Sequence, residues 1–113
     1  MDNKRRSKYL IYKHKVHHKT NNNYTNYKWI INPKNLNRGD NTFQIDHIYS
    51  IRDGFKNNIP IYIMASPVNL CMLSYTNNTK KGCRSDFKLN ELLKLSKQFR
   101  KETNNHKKFK NRR

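Results

Sequence analysis

Apolar residues come in short bursts between asparagine- and lysine-rich stretches, and the spacing within each burst predicts its secondary structure. Residues 1–7 form a charged lead that is expected to be mobile. Tyr9, Tyr12 and Val16 then recur at helical spacing, so a basic amphipathic helix is predicted from Lys8 to about Thr20, ended by Asn21 to Asn23. A second short helix is predicted from Tyr24 to Ile31, with Tyr27, Ile30 and Ile31 turned inward. Pro33 stops it, because the residue before a proline avoids the helical region. Lys34 to Asn41 is turn chemistry, punctuated by Gly39-Asp40.

From Thr42 to Ile48 the period changes to two. Phe43 and Ile45 alternate with Gln44 and Asp46, the pattern of a half-buried strand. Asp53-Gly54 marks a turn, and Lys56 to Pro67 reads as a loop with one helical turn around Ile61 to Met64. Asn69 to Leu73 is a second short strand. Ser74 then caps a helix over Tyr75 to Lys81, which Gly82 terminates. A last helix, capped by Ser85 or Asp86, is predicted to about Glu102. Leu89, Leu92, Leu93 and Phe99 form its buried stripe, and Lys88, Lys94, Lys97 and Lys101 stay in water. From Asn104 the run NNHKKFKNRR reads as a basic extension that only a polyanion would order.

Composition narrows the function. A chain of 113 residues with 34% hydrophobic residues makes one domain with a modest core. Its 25 Lys and Arg against 7 Asp and Glu give a formal charge of +18. Such a chain repels itself when free and is rewarded by a polyanion that sheds counterions on binding, so nucleic acid is the expected partner. A membrane is not expected, because the longest apolar stretch, Ile59 to Ala65, is short and broken by Pro60. The opening MDNKRRSKYL does not resemble a secretory signal, and Cys71 and Cys83 form no CxxC pair. Reduced thiols in a cytoplasm are the plain reading, and no small-molecule cofactor is expected.

The chemistry concentrates between Phe43 and Cys83, where Asp46 stands beside His47 in a chain short of acids. Phosphodiester hydrolysis needs a deprotonated water, neutralised phosphorus oxygens and a stabilised leaving oxygen. A neutral imidazole, with an ordinary pKa of about 6.5, serves the first need. Acid is then expected to slow cleavage as the ring protonates. A hard divalent cation serves the other two and prefers carboxylate and amide oxygens. His47, Asp46 and Asn78 would supply that set. His14, His17 and His18 also share a helix face, but Lys13, Lys15 and Lys19 would repel a cation there, so a basic surface is the reading.

In order, these residues resemble the HNH endonucleases, a family with the ββα-metal (His-Me finger) fold. The shared pattern is Asp-His on one strand, Asn at the start of the next, then Asn on the following helix. The runs WIINPKNLNRG and IDHIYSIRDGFKNNIP are similar to small phage-type and homing members, and the likeness covers roughly Tyr24 to Ser85. The resemblance implies that His47 is the general base, that Asp46 and Asn78 hold the metal, and that Asn69 pins the loop orienting the histidine. The metal would be Mg2+, with Mn2+ able to substitute, and the substrate DNA. Asn78 and Lys81 follow Asn69 at a spacing common in the family, and Asn77 is the competing ligand. Arg52, Lys56, Lys81 and Arg84 are expected at phosphates, with Lys81 on the face of Asn78. Two departures stand: the final metal position is Asn rather than His, and no zinc-binding cysteines brace the fold.

The fold expected is therefore α+β, with two short antiparallel strands and a helix flanked by basic helices. Residues 1–41 form the basic helical segment, 42–83 the core, and 84–113 the amphipathic helix and basic tail. One centre cuts one strand at a time, so double-strand cleavage would need a homodimer or a second event. Adjacent strand residues point to opposite faces, so Asp46 and His47 can meet one pocket only if the strand ends or distorts there. The rival reading is a non-catalytic nucleic-acid-binding protein. It explains the charge equally well but not the Asp-His and Asn placement.

Overall fold

The first 26 residues are governed by one apolar stripe. The computed structural model describes the backbone of residues 2–111 and the side chains of residues 2–104. Helix α1 runs from Asn3 to Asn26, its first turn closed by the Asp2 carboxylate, which accepts from the Arg5 backbone N–H at 2.7 Å. The lead expected to be mobile is therefore helical from Asn3. Asn21 to Asn23 do not end the helix either. Val16 and Thr20 are buried one turn earlier, and the Asn23 side chain donates to the Ala65 carbonyl at 2.8 Å. Tertiary contact overrides the weak helix propensity of asparagine. The break comes at Tyr27, and the predicted second helix shortens to α2, Lys28–Ile31, with Ile31 buried and Tyr27 and Ile30 half-buried.

Strand β1, Phe43–His47, pairs antiparallel with β2, Leu70–Ser74, in a regular register from Phe43↔Ser74 to His47↔Leu70. Between them lie α3 (Ile51–Lys56), α4 (Ile61–Met64) and a short 3-10 turn, Pro67–Asn69. Asp53-Gly54, read as a turn, sits inside α3 because the Ser50 hydroxyl caps that helix by accepting from the Asp53 N–H. Gly54 is needed for a different reason. A Cβ there would lie 2.5 Å from the Met64 sulfur and 2.8 Å from the Tyr12 hydroxyl, so any side chain would force Met64 and Tyr12 to shift where α1, α3 and α4 meet.

Helix α5, Tyr75–Lys81, follows β2 directly, capped by Ser74 and ended by Gly82 at φ +58°. Helix α6 runs from Leu89 to Asn111, so the segment from Asn104 continues a helical backbone; Arg112 and Arg113 lie outside the described residues. Its buried stripe uses Leu92 and Ser96, flanked by half-buried Leu89 and Phe99. Leu93 faces water at 40% exposure, because the 3-4-3 spacing of these positions bypasses it. Ser85 does not cap α6. Its hydroxyl accepts from the Ser50 N–H at 2.8 Å and donates to the Asp53 carboxylate, clipping the chain after α5 to the start of α3.

The core gathers Val16 of α1, Leu92 of α6, and Tyr49, Ile51, Ile59, Ile63 and Met64 from the stretch between the strands. The described residues form a compact α+β domain with six α-helices and a two-stranded antiparallel sheet. Among the described residues, no helix is long and apolar enough to cross a membrane.

Candidate functional site

The last two residues of β1 are its most buried, and both are polar. Buried polar groups need partners, and the strand alternation sends these two in different directions to find them. Gln44 and Asp46 face α5 and make two rungs with it. The Asn78 amide donates to Gln44 Oε1 at 2.6 Å, and the Lys81 ammonium donates to both Asp46 oxygens at 2.7 and 2.8 Å. Residues three apart on a helix meet residues two apart on a strand, which aligns the rungs. Lys81 Nζ gives a further bond to the His47 carbonyl at 2.7 Å. Lys81 is thus turned inward, 6% exposed, rather than presented to solvent where a phosphate would be met.

Burial pushes the Asp46 carboxyl above its ordinary range, and the hydrogen bonds and charge of Lys81 pull against that. Across the sheet, Asp46 pairs with Cys71, whose thiol donates to it at 3.9 Å and is pushed up to about 11 by burial and by the neighbouring carboxylate.

His47 faces α1. Its Nε2 lies 3.0 Å from Thr20 Oγ1, and its ring meets the His17 ring edge-on at 5.8 Å between centroids. Burial, then the charges of His17 and Lys81, push its pKa down to about 3. The ring is therefore held neutral in the free chain. His17 is likewise lowered, by burial of its inner edge and by Lys13, His14 and Arg38.

Asn69 is fully buried and stitches the return to β2 onto the exit from β1. Its Oδ1 accepts from the Tyr49 N–H at 2.7 Å, and its Nδ2 donates to the Met64 and Tyr49 carbonyls at 3.0 and 3.2 Å. The Ile48 N–H also donates to the Asn69 carbonyl at 2.8 Å. The chain is fixed by these bonds just beyond the His47 ring.

β1 is regular up to its end at His47, so the Asp46 and His47 side chains leave opposite faces of the strand. Both residues, with Asn78, nevertheless border one cavity of about 240 Å³ that takes no wall from β2. A second cavity of about 310 Å³ shares His17, Ile45, His47 and Asn78 with it and reaches Arg38 and Gln44. Asn77 is exposed, whereas Asn78 is half-buried in both cavity walls. Arg52 is exposed and lines the first cavity. Lys56 is exposed in a different hollow with Lys4 and Lys8, and Arg84 pairs with Asp86 at 3.1 Å on the surface.

For a hard cation, the residues bordering the cavity include one carboxylate, Asp46, and one amide with an oxygen, Asn78. Among the described residues no three His, Cys, Asp or Glu side chains gather as a metal cluster. An oxygen pair of this kind suits magnesium, which keeps most of its shell as water and phosphate oxygen. The Lys81 ammonium already neutralises the carboxylate, so a cation would have to share Asp46 or displace Lys81.

Three participants escaped the sequence reading: Thr20, His17 and Gln44. Thr20 was legible, since it extends the stripe of Tyr9, Tyr12 and Val16 by one turn and is a polar residue at a core position. Gln44 was legible as the neighbour of Asp46 on one strand face. The approach of His17 to His47 depends on how α1 lies over the sheet, which spacing does not encode. No protein-family model, curated protein or solved structure matches this chain.

Proposed function

We propose that this protein is a divalent-metal-dependent DNA endonuclease of the HNH type, with a ββα-metal core formed by β1, β2 and α5. The observation that carries the reading is the shared cavity of Asp46, His47 and Asn78, with Asn69 pinning the chain beyond the histidine. The order strand, excursion, strand, helix is that of the family the sequence resembles.

Asp46 and Asn78 would hold the ion, and a magnesium ion bound there supplies charge stabilisation on the phosphorus oxygens and on the leaving 3′ oxygen. His47, kept neutral by burial, takes the proton of the water that attacks in line. An anionic phosphodiester beside the ring opposes the charges of His17 and Lys81 and raises its basicity when substrate is present. Arg52 at the cavity rim contacts the strand being cut. The high positive charge supplies the affinity.

A second reading is favoured by one observation. Both Asp46 oxygens are occupied by Lys81, as in a protein that binds nucleic acid and does no chemistry. Nicking of supercoiled plasmid separates the two. Cleavage is expected with magnesium, none with chelator, and none from a folded His47→Ala variant whose DNA affinity stays within about two-fold, because affinity is carried by the many Lys and Arg rather than by one neutral ring. Failure of the wild-type chain to nick with either magnesium or manganese, with DNA binding intact, would establish the non-catalytic reading.

A further inference from the structure

Among the described residues, the one protein partner of the His47 ring nitrogens comes from outside the strand–strand–helix unit. Thr20, in the middle of α1, is 2% exposed and His47 is 7% exposed, and Oγ1 and Nε2 lie 3.0 Å apart with no other side chain between them. Thr20 Oγ1 has no second hydrogen bond among the described residues, and Thr20 also borders the open cavity of about 310 Å³, where a hydroxyl proton can meet solvent while its oxygen accepts from the ring. Nδ1 has no protein partner among the described residues, and the ring lines both cavities. A neutral imidazole carries one proton and one lone pair, and the bond made by one nitrogen decides which of them the other presents.

We propose that Thr20 is a positioning residue for His47. Its hydroxyl oxygen accepts the Nε2 proton, which fixes the ring in the Nε2–H tautomer and leaves the Nδ1 lone pair facing the cavity. The proposal rests on the nuclease reading for its consequence, since a lone pair in the cavity is what a base needs. The tautomer itself stands or falls independently of cleavage. Helix α1 then becomes part of the apparatus that aims the base, as well as a wall of the core. A hydroxyl suits this place better than a carboxylate would. It orients the ring without adding a charge to a pocket that already buries Asp46 and Lys81.

The test uses the full chain labelled with 15N-histidine. Long-range proton–nitrogen correlation at neutral pH reads the His47 tautomer directly, and plasmid nicking is measured in parallel. The wild type is expected to show Nε2–H. Thr20→Val, which keeps the shape and removes the hydroxyl, is expected to give a mixed tautomer and a kcat lower by about 10- to 100-fold with KM nearly unchanged, the size of loss typical when a group orienting a reactive residue is removed. Thr20→Ser is expected to restore both. A wild-type ring in the Nδ1–H form overturns the proposal, as does a folded Thr20→Val chain with unchanged tautomer and turnover. If Thr20→Val does not fold, the wild-type tautomer and the Thr20→Ser chain decide. If the wild type never nicks but Thr20→Val still changes the tautomer, the nuclease reading fails and the positioning role survives.

Discussion

His47 shows how far a single environment can move a side chain from its ordinary behaviour. With a folded pKa of about 3 against an ordinary 6.5, the ring stays neutral in the native state while the unfolded chain takes up its proton. The unfolded state therefore binds more protons within that window. The contribution of His47 is fully present above about 6.5 and is lost as pH falls toward about 3, at up to about 1.4 kcal/mol per pH unit. Urea unfolding at pH 7 and pH 5 should show the wild type losing stability on acidification. His47→Gln, which cannot titrate, should lose distinctly less over the same interval. Equal losses would mean that the ring is open to solvent.

At the scale of elements, the coupling of β1 to α5 rests on the two rungs, and the Asp46–Lys81 rung is the costly one. Both side chains are nearly inaccessible, at 8% and 3% exposure. Lys81→Met would leave an unpaired carboxylate in the interior, and a loss of about 3–5 kcal/mol is expected in denaturant unfolding. Pairing it with Asp46→Asn should recover much of that loss. A loss below about 1 kcal/mol for the single variant would show that water screens the pair. This region also marks what the sequence made legible. The strands, the Ser74 cap, the Gly82 stop and the helix between them follow from local chemistry, and they place Asp46, Asn69 and Asn78. The inward turn of Lys81 was not legible, because a lysine beside solvated Lys80 carries no local sign that a buried acid lies opposite. The continuation of α1 through Asn21 to Asn23 as far as Asn26 was missed for the same reason: Asn23 is held by the carbonyl of Ala65, far along the chain.

For the whole molecule, charge is the dominant property, and most of it lies on the surface rather than in the site. Long helices at both ends stretch the molecule to 53 Å in its longest dimension and carry many of the lysines. DNA affinity is therefore expected to be set mainly by counterion release. It should fall by about 100-fold or more between about 50 and about 200 mM salt, with little dependence on sequence, in a fluorescence anisotropy titration. A flat salt dependence would rule out a broad phosphate-binding surface. Shape has its own consequence. Most of the hydrophobic cluster comes from the excursion between the strands, while His47 and Asn69 sit at the neck where that excursion leaves and rejoins the sheet. The neck stays shut only while the oily knot beyond it holds. If the chain is the nuclease proposed above, one that begins to loosen disperses Asp46 and His47 before it comes apart, and a damaged copy falls silent instead of cutting indiscriminately.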